Sequence, residues 1–506
     1  LTDGTPMHLR DGFLAALTVA LGLAVGGPTA AQRAPANRKV DFLVARMTLE
    51  EKLGQLNLPS VDNRPSAEQL ELLRKGLVGG FLNLTGAVAT REAQRVAVTE
   101  SRLRIPLLLG YDVIHGYRTT FPIPLAEAST WDPAAVEAAA HAAAREAAAA
   151  GVNWTFAPMV DIARDPRWGR ISEGSGEDPY LGSVLAAARV RGFQGADLRA
   201  PDAVMATAKH FAAYGGAEGG RDYNTVDVSE RTLREIYLPP FRAAVDAGAG
   251  SIMTSFNEIA GMPSHANGWL VTTLLRGEWK FPGFVVSDWT GVEELRAHGV
   301  AGSRADAGKL ALEAGVDMDM VARIYVDDLP ALVRAGRIPV ATVDAAVRRV
   351  LAAKAALGLF DDPYHGATVE REQAVLLAPE HRKLAREVAR EAIVLLRNEG
   401  TPLPLTPARH TVAVIGPLAD DKTAALGSWP GHGDPRDAVT PLEGIRARAG
   451  EGTRVVYARG CGITDSATAG VADAVALARA ADIAVLVLGE AGDMSGEAAS
   501  RSTLGL

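Results

Sequence analysis

From about residue 40 to residue 360 the chain alternates short apolar runs with amphipathic or alanine-rich stretches of helical period. The strand-like runs are 80–84, 106–112, 154–158, 204–210, 251–257, 284–288 and 316–320. Each is nearly continuous in apolar character, as in strands of a parallel sheet buried on both faces. One intervening stretch opens with Asp132-Pro133, a helix cap followed by proline at the first helical position. Such repeats over ~320 residues predict a (β/α)8 barrel with insertions. An open doubly wound sheet is the rival, but it would carry a glycine-rich dinucleotide turn after its first strand. None is present, and Gly215-Gly216-Ala217-Glu218-Gly219-Gly220 reads as a loop.

The repeat ends near Leu357-Gly358-Leu359-Phe360-Asp361-Asp362-Pro363, where proline and glycine punctuation marks a linker. The expected division is a barrel over 38–362, a linker over 363–384 and a second α/β unit over 385–506. A long helix begins near Glu380 and runs through Leu396. Strands follow at 412–417, 454–457 and 483–488, with a helix at 471–480. So few strands in ~120 residues lead to the expectation of an α/β sandwich truncated at its C-terminus, in a chain that is a fragment.

At the other end Met7 precedes His8 and Arg10, an apolar stretch over 13–25, and small residues ending Thr29-Ala30-Ala31. This is the pattern of an export signal over 7–31, cleaved near Ala31/Gln32, and it predicts a periplasmic or secreted protein. The alternative, a membrane anchor, fits less well because the apolar stretch is short and broken by glycines. No later segment has the ~18 apolar residues of a spanning helix.

Composition excludes several classes. The 506 residues carry a formal charge of −8, leaving no basic face for a phosphate backbone, so nucleic acid is not expected as a partner. The single cysteine, Cys461, rules out an intramolecular disulfide and reads as a small core residue. No Cys/His spacing suggests zinc, and no metal or cofactor is expected.

Barrel enzymes place catalysis at the C-terminal ends of their strands. Asp112, Lys209, His210 and Asp288 directly follow apolar runs there. In Val286-Ser287-Asp288-Trp289 a carboxylate ends a buried strand and an indole follows. An ionised carboxylate aimed at a sugar C1 beside an aromatic ring suits glycoside chemistry, and a helix cap would look the same. The loop 164–179 is dense in charge and glycine, which suits bidentate binding of vicinal hydroxyls or a salt-bridged surface. Lys209-His210 could be a Schiff-base lysine, a hydroxyl donor pair or a structural ion pair. The loop after the last strand carries Glu490 and Glu497, either a general acid on a mobile loop or a solvated acidic segment.

Together these segments resemble glycoside hydrolase family 3, in particular its periplasmic β-glucosidases. The resemblance rests on Met47-Thr48-Leu49-Glu50-Glu51-Lys52, Asp112 within Gly110-Tyr111-Asp112-Val113-Ile114-His115-Gly116, Phe121-Pro122-Ile123-Pro124, the loop 165–179, Lys209-His210-Phe211, Met253-Thr254-Ser255-Phe256-Asn257 and Ser287-Asp288-Trp289. It implies a barrel plus an (α/β)6 sandwich with the active site at their junction. It also implies Asp288 as nucleophile and Asp112, Arg170, Lys209 and His210 as ligands of the sugar hydroxyls, with Glu173 near that sugar. Phe256 joins the substrate-binding set, and Trp289 and Trp429 would clamp the next subsite. Glu497 best matches the acid/base position and Glu490 is the second choice. The family's β-N-acetylhexosaminidase branch follows Lys-His-Phe with Pro-Gly-His-Gly, which Ala212-Ala213-Tyr214-Gly215 lacks.

The activity so implied is release of terminal β-D-glucosyl residues from β-linked oligosaccharides or aryl β-glucosides, by retaining double displacement. Neither a cofactor nor, after signal cleavage, a membrane is involved. The alternatives are a β-xylosidase or α-L-arabinofuranosidase of the same family, a non-catalytic sugar-binding protein, and a Schiff-base aldolase using Lys209.

Overall fold

The computed structural model describes residues 30–400, 403–405, 410–464 and 466–505. The expected export segment 7–31 lies outside the described residues except for its last two positions. Among the described residues no helix is long and apolar enough to cross a membrane.

Eight short parallel strands form a closed ring: β1 (Asn57–Leu58), β2 (Gly80–Leu82), β3 (Leu108–Tyr111), β4 (Trp154–Thr155), β5 (Met205–Phe211), β6 (Ser251–Thr254), β7 (Phe284–Val286) and β8 (Asp319–Met320). Strands β2 to β7 pair in chain order. The ring closes because β1 pairs with β8, Ser60 bridges to Leu82, and Val286 bridges to Met318. Seven of these strands overlap the apolar runs of the sequence, β5 extending one residue beyond its run. The eighth, β1, has only two residues, one of them a buried asparagine whose amide donates to the Leu77 carbonyl.

The barrel interior is filled by side chains. Trp154 packs edge-on against Phe156 and tilted against Phe284, with ring centroids 4.6 and 5.1 Å apart. Its indole N–H donates to both Thr207 and Ser251, which satisfies the polar groups of this core. Gly110 is required here, because a Cβ would come within 2.6 Å of the Phe156 ring. Around the ring run helices such as Pro133–Ala149, where the Asp132 carboxylate accepts from Ala134 and Ala135 as the Asp-Pro pattern predicts.

The segment expected to be a linker, 363–384, is ordered on the barrel. It contains the helix Val369–Val375 and the start of the helix Pro379–Glu391. The buried Glu146 carboxylate fastens it, accepting from the Leu377 N–H and from His381 Nδ1. The proline and glycine residues there mark turns between docked helices. The second helix ends five residues before Leu396, and Ile393–Leu396 run on in irregular, exposed backbone.

The second unit is a parallel sheet of three strands, with β9 (Thr411–Ile415) between β10 (Arg454–Ala458) and β11 (Ile483–Leu486). Helices Pro441–Arg448 and Val471–Ala480 cover it. Val412 and Val414 pack towards Leu442, while Ala413 and Ile415 pack towards Ala474, so the central strand is buried on both faces. Cys461 is half-buried in the loop after β10, not a core residue.

Candidate active site

Leaving aside Glu490, the second choice for the acid/base, eight of the ten residues singled out in the sequence line one cavity of about 600 Å³ at the C-terminal mouth of the barrel. Asp112 follows β3, Lys209 lies near the end of β5, Phe256 follows β6, and Asp288 and Trp289 follow β7. Arg170 projects from a single turn, Gly169–Glu173, in the loop after β4. Trp429 and Glu497 reach the cavity from the second unit. The lining also includes Tyr223 and Glu294, which nothing in the sequence singled out.

The remaining two stand behind the wall. Glu173 accepts two hydrogen bonds from Arg170, at 2.8 and 3.0 Å, and one from the Trp429 indole at 3.1 Å. It therefore fixes both the guanidinium plane and the tryptophan of the second unit. At His210, expected to bind sugar hydroxyls, both ring nitrogens have partners within the protein. Arg170 is donor only, so its 3.0 Å contact makes His210 Nε2 an acceptor and puts the ring proton on Nδ1, which donates to Asp161 at 2.8 Å. Burial, reinforced by the positive charges of Arg170 and Lys209, holds His210 far below the usual histidine range, so the ring is neutral. Lys209 behaves oppositely. Burial is the largest influence and would lower its pKa, but Asp112, 2.6 Å from Nζ, together with Glu173 and Asp288 more than offsets it and raises the value. A lysine held as ammonium is a hydroxyl donor, not a Schiff-base nucleophile.

Asp288 is oriented by its own backbone. Its N–H donates to His265 Nε2 at 3.1 Å, and its Oδ1 accepts the Trp289 N–H at 2.7 Å. The other oxygen, Oδ2, is buried, accepts no hydrogen bond, and lies 3.6 Å from His210 Nε2. Burial pushes this carboxyl up to about 7, against the pull of Arg170 and Lys209 and with a further push from Glu497. The ordinary value is 3.8, so the folded protein takes up a proton here that the unfolded chain has lost. Stability from this group is complete below about pH 4 and is lost as pH rises through about 7. Asp288→Asn, which cannot ionise, is therefore expected to melt above wild type at about pH 7.5, by ~2–4 °C per kcal/mol relieved. The gap should close as pH falls towards 4. A gap that widens on acidification would contradict this account.

Glu497 sits where the two units meet. Its Oε1 accepts from the Tyr223 hydroxyl at 2.9 Å and lies 3.0 Å from Arg170 Nη1, an ionic contact not aligned as a hydrogen bond. The loop that carries it is fastened to the barrel by backbone: Gly169 N–H donates to the Ala499 carbonyl and Gly496 N–H to the Gly169 carbonyl, at 3.0 and 2.6 Å. Gly169 has to be glycine, since a Cβ would stand 2.2 Å from the Ala499 oxygen. Glu490 is ion-paired with Arg501 and is not part of the cavity lining.

The family model for the glycosyl hydrolase family 3 N-terminal domain matches residues 48–353, and that for the C-terminal domain matches 393–506. The chain belongs to glycosyl hydrolase family 3. It is 42% identical over 489 residues to the periplasmic beta-glucosidase of Salmonella typhimurium, covering 92% of this chain and 64% of that protein. A beta-xylosidase of Formosa agariphila is 35% identical, over 93% of this chain and 63% of its own length. The beta-glucosidase from Listeria innocua in complex with glucose has a similar structure, with a TM-score of 0.86 at 38% identity, covering 92% of this chain and 66% of that one. The chain thus spans just under two thirds of the length of these curated relatives.

Proposed function

We propose that this protein is a retaining exo-β-glucosidase acting on terminal β-D-glucosyl residues of oligosaccharides or aryl glucosides. The observation that carries the reading is the meeting of two carboxylates from different units, Asp288 and Glu497, in one cavity whose wall also holds Asp112, Arg170 and Lys209. Asp288 Oδ2, free of hydrogen bonds, attacks the anomeric carbon. Glu497 protonates the departing oxygen from Oε2, because Oε1 is held by Tyr223 and Arg170. Glu497 then deprotonates the water that opens the glycosyl ester, and configuration is retained. Productive turnover needs Asp288 ionised and Glu497 protonated.

Asp112, Lys209 and Arg170 would hold the ring hydroxyls of the terminal sugar. The half-exposed Trp289 and Trp429 would flank the aglycone, as tryptophans suit a pyranose face. The barrel 38–362 would supply the nucleophile and the unit 385–506 the acid/base. The leader pattern over 7–31, with the likeness to a periplasmic relative, supports a site of action outside the cytoplasm. A panel of 4-nitrophenyl glycosides is the test, with proton NMR of the first-formed anomer. β-Glucoside should be the best substrate and β-glucose the first product. Preference for β-xyloside or α-L-arabinofuranoside would move the substrate within the family, and α-glucose first would reject double displacement.

A further inference from the structure

The loop 221–224, inserted between β5 and β6, closes over the second unit from the barrel side. Asp222 Oδ2 accepts the Ala498 N–H at 2.8 Å, and its Oδ1 accepts the Trp168 indole N–H at 2.8 Å. The Asp222 N–H donates to Ser500 Oγ at 3.0 Å. One aspartate thus grips the residue after Glu497 and a second residue two further on. Tyr223 adds the hydroxyl that meets Glu497 Oε1 at 2.9 Å. Its ring is held edge-on by Phe256, centroids 5.1 Å apart at 86°, and lies over Tyr214 at 6.3 Å and 24°. Its backbone adopts φ +64°, a left-handed conformation that a bulky residue takes only where its surroundings impose it.

We propose that Asp222 and Tyr223 are positioning residues that aim the proton of Glu497, the tyrosine by occupying Oε1 so that Oε2 alone faces the glycosidic oxygen. This rests on the assignment of Glu497 as acid/base. The geometry carries it in three ways. Glu497 stands on a loop of glycine and small residues, 495–500, that has no rigidity of its own. A carboxylate has two equivalent oxygens, and a fixed donor on one of them removes the carboxylate flip that would misplace the proton. Burial and the Glu497 charge both push the Tyr223 phenol up, so its hydroxyl remains a donor at every working pH. Phe256, sequence-predicted as a substrate contact, acquires a second task as the edge-on stop for the tyrosine ring.

The test uses the whole chain and two leaving groups. A β-linked disaccharide needs its leaving oxygen protonated, and 2,4-dinitrophenyl β-glucoside does not. Tyr223→Phe removes only the hydroxyl. Its kcat on the disaccharide should fall roughly 10-fold, with KM within about twofold, while kcat/KM for the dinitrophenyl substrate should fall less than about threefold. Asp222→Asn should give the same split, because Trp168 and Ala498 donate to different oxygens of Asp222 and asparagine keeps only one of them as an acceptor. It is the second arm should Tyr223→Phe fold poorly. Equal losses on both substrates, or no loss on the disaccharide, would overturn the proposal. Glu497→Ala run alongside separates the two layers. If Glu497→Ala splits the leaving groups and the clasp variants do not, only the positioning role falls. If Glu497→Ala shows no split, the acid/base assignment falls and the clasp falls with it.

Discussion

Asp288→Ala is expected to lower kcat/KM on 4-nitrophenyl β-glucoside by at least ~10⁴-fold, about 5 kcal/mol of transition-state stabilisation. The reason is specific to the geometry. Asp288 Oδ2 is the carboxylate oxygen left bare at the inner end of the cavity, while Oδ1 is tied to the Trp289 N–H. No neighbouring group can replace it: His210 has both ring nitrogens committed, and Glu173 is locked to Arg170 and Trp429. Binding should survive, since the Lys209–Asp112 pair and the Arg170–Glu173 pair do not depend on Asp288. The measurement is therefore twofold: kinetics for the loss, and calorimetric titration with glucose for retained affinity. A slow 2-fluoro glycoside on the wild type should leave its label on the peptide containing Asp288. Turnover within tenfold of wild type, or a label elsewhere, would remove Asp288 as nucleophile. At its acid limb, kcat/KM should fall as Asp288 takes up its proton, near the value of about 7 that burial sets. Lys209→Met should move that limb to higher pH, because Lys209 is one of the two cations that favour the ionised form.

How much of this was legible beforehand depended on the kind of signal. Strands β2 to β8 were readable because each coincides with a short, nearly continuous apolar run. Strand β1 was not, because Asn57–Leu58 gains its strand character only from pairing with Asp319–Met320 some 260 residues on. Asp288 and Asp112 were visible as carboxylates at strand ends. Composition alone reads Glu497 as part of a solvated loop, and only the family resemblance raised it above Glu490. Tyr223 was hidden for a physical reason. It lies after Gly219-Gly220, in punctuation that reads as a turn, and its partner is 274 residues away in sequence. Asp161 and His265, which set the His210 tautomer and hold the Asp288 backbone, were invisible because their roles are contacts behind the cavity wall. The proline and glycine residues near 363 did mark a change of direction. They could not reveal that Glu146, deep in another helix, would bind the segment that follows.

Glu497→Ala should behave differently from the nucleophile variant, and the difference identifies it. On a disaccharide, which needs its leaving oxygen protonated, kcat should fall by ~10²–10⁴-fold. On 2,4-dinitrophenyl β-glucoside the first step should proceed nearly as in wild type. The second step lacks its base, so the glycosyl ester on Asp288 accumulates and a burst of dinitrophenolate precedes slow turnover. Azide needs no base and should restore turnover, giving β-glucosyl azide because it attacks the ester from the face that water uses. In Asp288→Ala any azide product would instead have the α configuration. Glu490→Ala is the internal control: its carboxylate is engaged with Arg501 away from the cavity, so activity should stay within about threefold of wild type. Azide rescue of Glu490→Ala in place of Glu497→Ala would transfer the acid/base role. It would also mean that the loop gripping Gly169 and Asp222 rearranges when substrate enters, because the bonds from Gly496, Ala498 and Ala499 to the barrel hold Glu497, not Glu490, over Asp288.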